Sequence, residues 1–526
     1  MIAVVAKIED HPVATEFFEL FKTPWEFFQP GSRAEVLLCT QNEIPLSEAK
    51  LVLIYGSELN VFDRAQSAPV RPQGARKMLS HGGKSFPIYG SSLAFENPAS
   101  PALMETKNGE QTIVRIGYDL FAEIRHLLTV GQPMEHSATP TLERHIELLR
   151  EIILRHAAPL LEIPPAPLGH NFIACLTHDV DHVGIRNHKF DHTLFGFLFR
   201  ATVGSVLDVV RGKKTFGQLA TNWLAVLKLP FVHLGLAKDF WYQFDHYVEL
   251  ENGAASTFFV IPKKGETGLD AKGNRSPKRA ASYDARDLKD VLIGLKKSGK
   301  EIGTHGLDAW RDAAAGREEK KIISDLTGAT ESGVRMHWLY FGEQSHMILE
   351  AAGFTYDSTV GYNATVGYRA GTTQVFKPLT VKKLLELPMH AMDTALFYPS
   401  YLNLSPQQAA EKMSPLIHFA AQNGGAFVVN WHDRSIAPER LWDGSYGELI
   451  SECKKSGAWF ATAGQAVDWF RQRREVSFDC SANGTRIRTA TGGGKFLPGL
   501  RVRVHAAGGK FADEDLRDGM EISLAA

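Results

Sequence analysis

Thr177-His178-Asp179-Val180-Asp181 closes a short apolar run, Phe172-Ile173-Ala174-Cys175-Leu176, and ends in two acids one residue apart. In an extended chain successive side chains alternate faces, so Asp179 and Asp181 point the same way. Two carboxylates converging at a strand end repel each other unless a cation or a shared proton lies between them. The pair is therefore a candidate metal ligand beside a candidate general base. An isolated D-x-D is more often a turn with solvated acids, so the rest of the chain has to decide.

Outward from this stretch, residues 171–472 repeat one theme. Helical patterns end at a glycine and a strand follows at once: Gly299 before Glu301-Thr304, Gly353 before Phe354-Tyr356, Gly424-Gly425 before Ala426-Asn430, and Gly457 before Trp459-Ala461. Glycine just past a helix accepts the left-handed conformation that closes it. Leu288, Val291, Leu292 and Leu295 form the stripe of a helix packed on a sheet. The repeat predicts parallel strands with helical crossovers, as a barrel or an open sheet. Chemistry in a barrel belongs at the carboxyl ends of the strands.

Four further stretches fall where such strands should end. They are Glu301–Asp308 with His305, Val334-Arg335-Met336-His337-Trp338, Leu385–Met389 leading to Asp393, and Val428-Val429-Asn430-Trp431-His432-Asp433. A lone histidine is more often a hydrogen-bonded structural residue than a ligand, and a lone arginine an ion-pair residue. Order and spacing on one repeating domain are what give these four weight.

In that order the motifs resemble the polysaccharide deacetylase (NodB homology) family of carbohydrate esterases, over residues 171–470. Thr177–Asp181 is similar to the family's first motif, usually T-F-D-D-G, in a D-x-D variant. Ser256-Thr257-Phe258-Phe259-Val260 resembles its second strand, Gly303-Thr304-His305 the start of its second motif, and Val334-Arg335 the start of its third. The resemblance implies a distorted (β/α)7 barrel and metal-assisted removal of an acetyl group from an N-acetylated sugar or polysaccharide precursor. That is hydrolysis of a C–N bond other than a peptide bond, with a divalent metal, zinc first, as cofactor. By the same resemblance Asp179 is the base, Asp181 and His305 are metal ligands, Arg335 orients the base, and His432 is the acid polarised by Asp393. The chain departs from the family at the second motif, usually H-x-x-x-H, because Ala309 stands four residues after His305. Asp308, His337 (where the third motif usually has proline) and His178 are the alternatives for the third ligand. The missing histidine also supports a second reading, a non-catalytic module that binds glycan or a lipid-linked sugar.

The 526 residues suffice for two to four domains. Residues 1–160 predict an α/β domain, with strands at Ile2-Val5, Glu35-Cys39 and Leu51-Tyr55 and helices through Leu120–Leu128 and Ile146–Leu154. Gly90-Ser91-Ser92 lacks the spacing of a nucleotide cradle. Glu162–Pro167 reads as a stiff linker. Residues 190–245 predict a pair of amphipathic helices with basic residues. Packing on the barrel or the first domain is the primary reading, and a membrane-surface or lipid-linked-substrate contact the secondary one. Residues 475–526 predict a small β-sandwich, in which Gly492-Gly493-Gly494-Lys495, followed by Phe496, is a turn and not a phosphate loop.

Lys plus Arg number 58 against 59 acids, and no basic block stands out, so nucleic-acid binding is not expected. Four scattered cysteines form no disulfide framework, which suits a reducing compartment. The amino terminus reads as a strand and not as a leader, and no run of about 18 apolar residues predicts a membrane span, so a cytoplasmic location is the expectation.

Overall fold

A computed structural model describes residues 1–526 apart from 32–33, 67–69, 75–76, 96–101, 157–158, 330–331, 482–483, 489–496, 507–509 and 523–526. The Gly492–Lys495 turn lies outside the described residues.

The strand that carries the two acids is the hub of the largest sheet. We number its strands β1 (Phe172–Val180), β2 (Ser256–Val260), β3 (Glu301–Gly306), β4 (Gly333–Met336), β5 (Tyr356–Asp357), β6 (Leu385–Glu386), β7 (Ala391–Met392), β8 (Ala426–Asn430) and β9 (Ala458–Phe460). Hydrogen bonding gives the order β6-β5-β4-β3-β2-β1-β8-β7, with β9 also on β1, and every pair is parallel. β1 to β5 and β8 are buried along nearly their whole length, as a parallel sheet covered by helices requires.

The sheet curls. Its two ends, β6 and β7, belong to one stretch, Leu385–Met392. That stretch pairs with β5 through Leu385 and Glu386 and with β8 through Ala391 and Met392. Between them Leu387 N–H donates to Asp357 O and His390 N–H to Val428 O. The two flanks are thus bridged by one short length of chain, and this bridge turns the open sheet into a curled one. Gly299, Gly353, Gly424 and Gly457 all have φ between +81° and +86°; Gly353 takes the left-handed helical conformation, whereas Gly424, at ψ −164°, is extended with positive φ and does not.

Ahead of this sheet, Trp25–Phe27, Ile2–Val5, Val36–Cys39, Leu51–Tyr55, Gln111–Ile116 and Leu103–Asn108 form a six-stranded sheet, parallel except for its last pair. The buried Arg473 guanidinium ties the two parts together through the carbonyls of Glu19, Leu20 and Ile163.

Two expectations need correction. Glu162 does not begin a linker: Leu160–Glu162 is a strand paired with Arg501–His505, which pairs in turn with Phe511–Asp515. Leu160 and Leu161 are buried, and Glu162 is held by Arg150. Ser477–Ser481, Gly484–Arg488 and Glu521–Ile522 form a second small sheet. Val476, Ile487, Leu500 and Val502 join the apolar cluster of the curled sheet, so these strands pack on it. The second correction concerns 190–245. Its helices (His192–Phe199 continuing through a π-turn to Val210, then Phe216–His233) are apolar on both faces, not on one. Helix 192–210 is long and apolar enough to cross a membrane, at a mean hydropathy of 1.5, because averaging absorbs Arg200 and Asp208 that interrupt a strict apolar run.

Candidate metal centre and active site

The alternation of β1 sets the site. Asp179 and Asp181 face the inside of the curl, whereas His178 faces the other way. There its Nδ1 lies 2.8 Å from Trp431 O and its Nε2 2.8 Å from Glu251 Oε1, so it takes no part in the site. The carboxyl ends of β3, β4 and β8 bring His305, His337 and His432 to the same cavity of about 440 Å3.

Asp181 is at its centre. Its Oδ1 lies 3.4 Å from His305 Nε2 and 3.5 Å from His337 Nε2, and its Oδ2 lies 3.8 Å from His432 Nε2. One ligand atom from each of Asp181, His305 and His337 falls within 4.8 Å of the others. His305 Nδ1 is 2.9 Å from Arg335 O, which accepts its proton and leaves Nε2 as a lone-pair donor aimed at the cavity. Burial holds the His337 imidazole down to about 3, so it stays neutral and fit to coordinate. Burial opposes charge on Asp181, but its surroundings, with the His432 imidazolium among them, hold its carboxyl well below the usual range. Asp181 Oδ1 and His337 Nδ1 are buried with no hydrogen-bond partner among the described residues. A buried carboxylate oxygen with two converging imidazoles and no donor is what a divalent cation satisfies. The residues present therefore fit such a cation, and one carboxylate with two imidazoles suits zinc.

Asp308 stands apart. Its Oδ1 accepts Leu269 N–H at 2.8 Å, and its own N–H donates to Glu319, so it caps a loop.

Asp179 is buried and fully gripped. Arg335 Nη1 donates to Oδ1 at 3.1 Å and Asn430 Nδ2 to Oδ2 at 2.7 Å. Burial disfavours its charge, but His305, Arg335 and His432 outweigh it and hold the carboxyl below its ordinary value. The Arg335 guanidinium is itself fixed by Thr177 Oγ1 (2.7 Å), Ser358 O (3.0 Å) and Ser358 Oγ (2.9 Å), and lies over the Phe259 ring. Opposite, His432 Nδ1 sits 2.6 Å from Asp393 Oδ1. Ser435 Oγ and the His432 N–H both donate to Asp393 Oδ2. Burial works against charge on His432, yet Asp393, Asp181 and Asp179 raise it to about 10, so it is an imidazolium at neutral pH.

Sequence reasoning missed several residues. Asn430 and Asp433 lie within the fourth stretch but carry no motif of their own. Asp433 accepts the N–H groups of Asp181 and His182, and burial with Asp181 alongside pushes its carboxyl to about 7. Trp338, Tyr340, Tyr398 and Tyr401 form an aromatic rim. Trp338 has φ +65° and is 41% exposed, a costly backbone state for a bulky residue at the mouth of a cavity. Adjacent aromatics at a strand end were the available signal.

No family model and no curated protein matches the sequence. Among solved structures, the chain is similar to a Mycobacterium smegmatis protein named as a polysaccharide deacetylase (19% identity, 59% of this chain and 95% of that one, TM-score 0.36). It is also similar to PuuE allantoinase (16%, 59% and 92%, 0.36). A third likeness is a family 4 acetyl xylan esterase from Clostridium thermocellum in complex with cobalt (14%, 56% and 91%, 0.26). Likenesses this low carry no weight on their own. The reading of the fold rests on the strand order, and that of the site on its side chains.

Proposed function

We propose that this chain is a metal-dependent deacetylase of the NodB type that hydrolyses the acetamide of an N-acetylated sugar or polysaccharide precursor. The observation that carries the reading is one cavity holding a cation-ready trio, Asp181, His305 and His337, between a clamped carboxylate and a carboxylate-held imidazolium. Bound there, a divalent cation would supply Lewis acidity and a water ionisable near pH 7.

The chain's own groups account for the proton traffic. Asp179, kept ionised by Arg335, takes the proton of the attacking water. His432 gives its proton from Nε2 to the leaving nitrogen, while Asp393 holds Nδ1 and compensates the charge. Asn430 and Arg335 keep the Asp179 carboxylate from rotating away. The aromatic rim supplies faces on which sugar rings stack.

The test is acetate release by the full chain, loaded with zinc, from a panel of N- and O-acetylated sugars and oligosaccharides. Release from an N-acetylated member, lost in Asp181→Ala, supports the reading. No release from any member, with binding of the same sugars intact, favours the non-catalytic glycan-binding module instead.

A further inference from the structure

The segment between β1 and β2 holds two helices with no polar face. On the first, Leu194, Phe197 and Ala201 are buried, and they pack with Ile185, Ala225, Val232, Trp241 and Ala437 into a cluster of their own. The opposite side is no less apolar. Phe199 is 59% exposed, Val210 79%, Leu227 68% and Leu234 72%, and Phe195 and Trp223 are also exposed. Between the two helices runs a groove of about 560 Å3 lined by Val203, Val206, Leu207, Trp223, Val226 and Leu227, with Thr202 at its end. A helix that is hydrophobic all round is normally buried all round, and contiguous exposed apolar surface on this scale marks a contact still to be made.

Charge says what the contact is with. Residues 190–236 carry five Lys and Arg against two acids, in a chain whose total is −1, and Arg186 and Lys189 lie just before them. Lys189, Arg211 and Lys228 are exposed, whereas Asp191 and Asp208 are partly buried, Asp191 against His188. An apolar face bordered by exposed cations is the pattern of an element lying in the head-group region of an anionic membrane. A spanning orientation is excluded by packing. The inner stripe of helix 192–210 is locked to the barrel, and Asn222 and Lys214 of the same segment donate to Pro438 O and Glu439 O.

We infer that residues 190–236 dock this protein on the surface of an anionic lipid bilayer, with the outer faces of both helices inserted at the head-group–acyl boundary. A second groove, lined by Arg200, Leu207 and Lys214 on one side and Tyr398, Glu439 and Arg440 on the other, abuts the catalytic cavity, with which it shares Tyr398 and Arg440. Docking therefore sets the cavity mouth beside the head-group layer. If the deacetylase reading holds, its sugar is then presented by a membrane-anchored carrier; the docking itself does not depend on that reading.

The test is flotation of the full chain with vesicles of phosphatidylcholine alone and with about a third phosphatidylglycerol. The expected result is recovery with the anionic vesicles at least about tenfold above the neutral ones, weakening as salt is raised. The triple variant Phe199→Ser, Val210→Ser, Leu227→Ser should lower recovery about tenfold or more while thermal unfolding is unchanged. If that variant misfolds, Lys189→Glu, Arg211→Glu, Lys228→Glu is read instead, with the same loss expected. The inference is overturned if the chain floats with neither vesicle, or if both triple variants float as well as the parent. It is also overturned if the apolar face proves to be covered by a second copy, seen as a dimer that vesicles do not dissociate and that the serine variant converts to monomer. No outcome depends on enzymatic activity.

Discussion

Replacing Arg335 with methionine tests the part of the site on which the base depends. The guanidinium is fully buried and donates to Asp179 Oδ1, Thr177 Oγ1, Ser358 O and Ser358 Oγ. Methionine keeps most of the apolar stem over Phe259, so the loss is chiefly one of charge and hydrogen bonds. Asp179 then stays buried with Asn430 as its remaining side-chain hydrogen-bond donor. Breaking a buried pair from one side costs about 3–5 kcal/mol, most of it the stranded charge. Urea unfolding followed by circular dichroism should show a loss of that size. The structure also fixes a readout that a packing defect would not produce. Arg335 is one of the charges that hold Asp179 below its ordinary value. Its removal raises the Asp179 pKa, and the acid limb of the pH–rate profile moves to higher pH. With the base misplaced as well, kcat/KM should fall about 10²–10⁴-fold. Arg335→Lys, which keeps the charge but not the planar fork, should restore the acid limb more than the rate. Stability within about 0.5 kcal/mol of the parent, together with an unmoved acid limb, would refute the reasoning.

Other outcomes follow from the same geometry. Asp393→Asn removes the leading charge that raises His432, so the alkaline limb of the rate profile should move to lower pH with little change in metal content. Glu251 is buried, yet His178 and Lys300 hold its carboxyl at about 2 against 4.5 in the free residue. Its folded value is depressed, so its contribution is present above pH 4.5 and lost as pH falls towards 2. The loss is about 3 kcal/mol in all, and Glu251→Gln should abolish that acid dependence in urea titrations. Trp338→Ala should raise KM for an oligosaccharide several-fold while leaving kcat on a monosaccharide close to the parent's, since the residue lines the cavity and is 41% exposed.

How far the sequence could be read depended on whether a feature was local. Glycines after helices and the alternation within Asp179-Val180-Asp181 are local, and both hold in the structure. Leu385–Met389 was legible as a strand end leading to Asp393, but the double pairing of 385–392 was not, because which flanks it bridges depends on partners about 30 residues before it and about 40 after it. The third member of the trio was open between Asp308, His337 and His178 for the same reason. Alternation excludes His178 only once its neighbours on β8 are known, and Asp308 turns away only because Leu269 N–H offers it a partner. His337 enters the cavity directly after the strand Gly333–Met336, and Trp338 and Leu339 then take positive φ, a backbone choice that no propensity favours. The helices of 190–245 look amphipathic in sequence because Arg and Lys are interspersed, but in the structure their outer faces are apolar as well.

The claim on which the account rests is that Asp181, His305 and His337 hold one divalent cation. Elemental analysis of the full chain after zinc loading and desalting tests it directly. The account predicts close to one zinc per chain in the parent and in Asp308→Ala, and little or none in His337→Ala. Full zinc in His337→Ala with loss in Asp308→Ala, or no zinc retained by the parent, would contradict it.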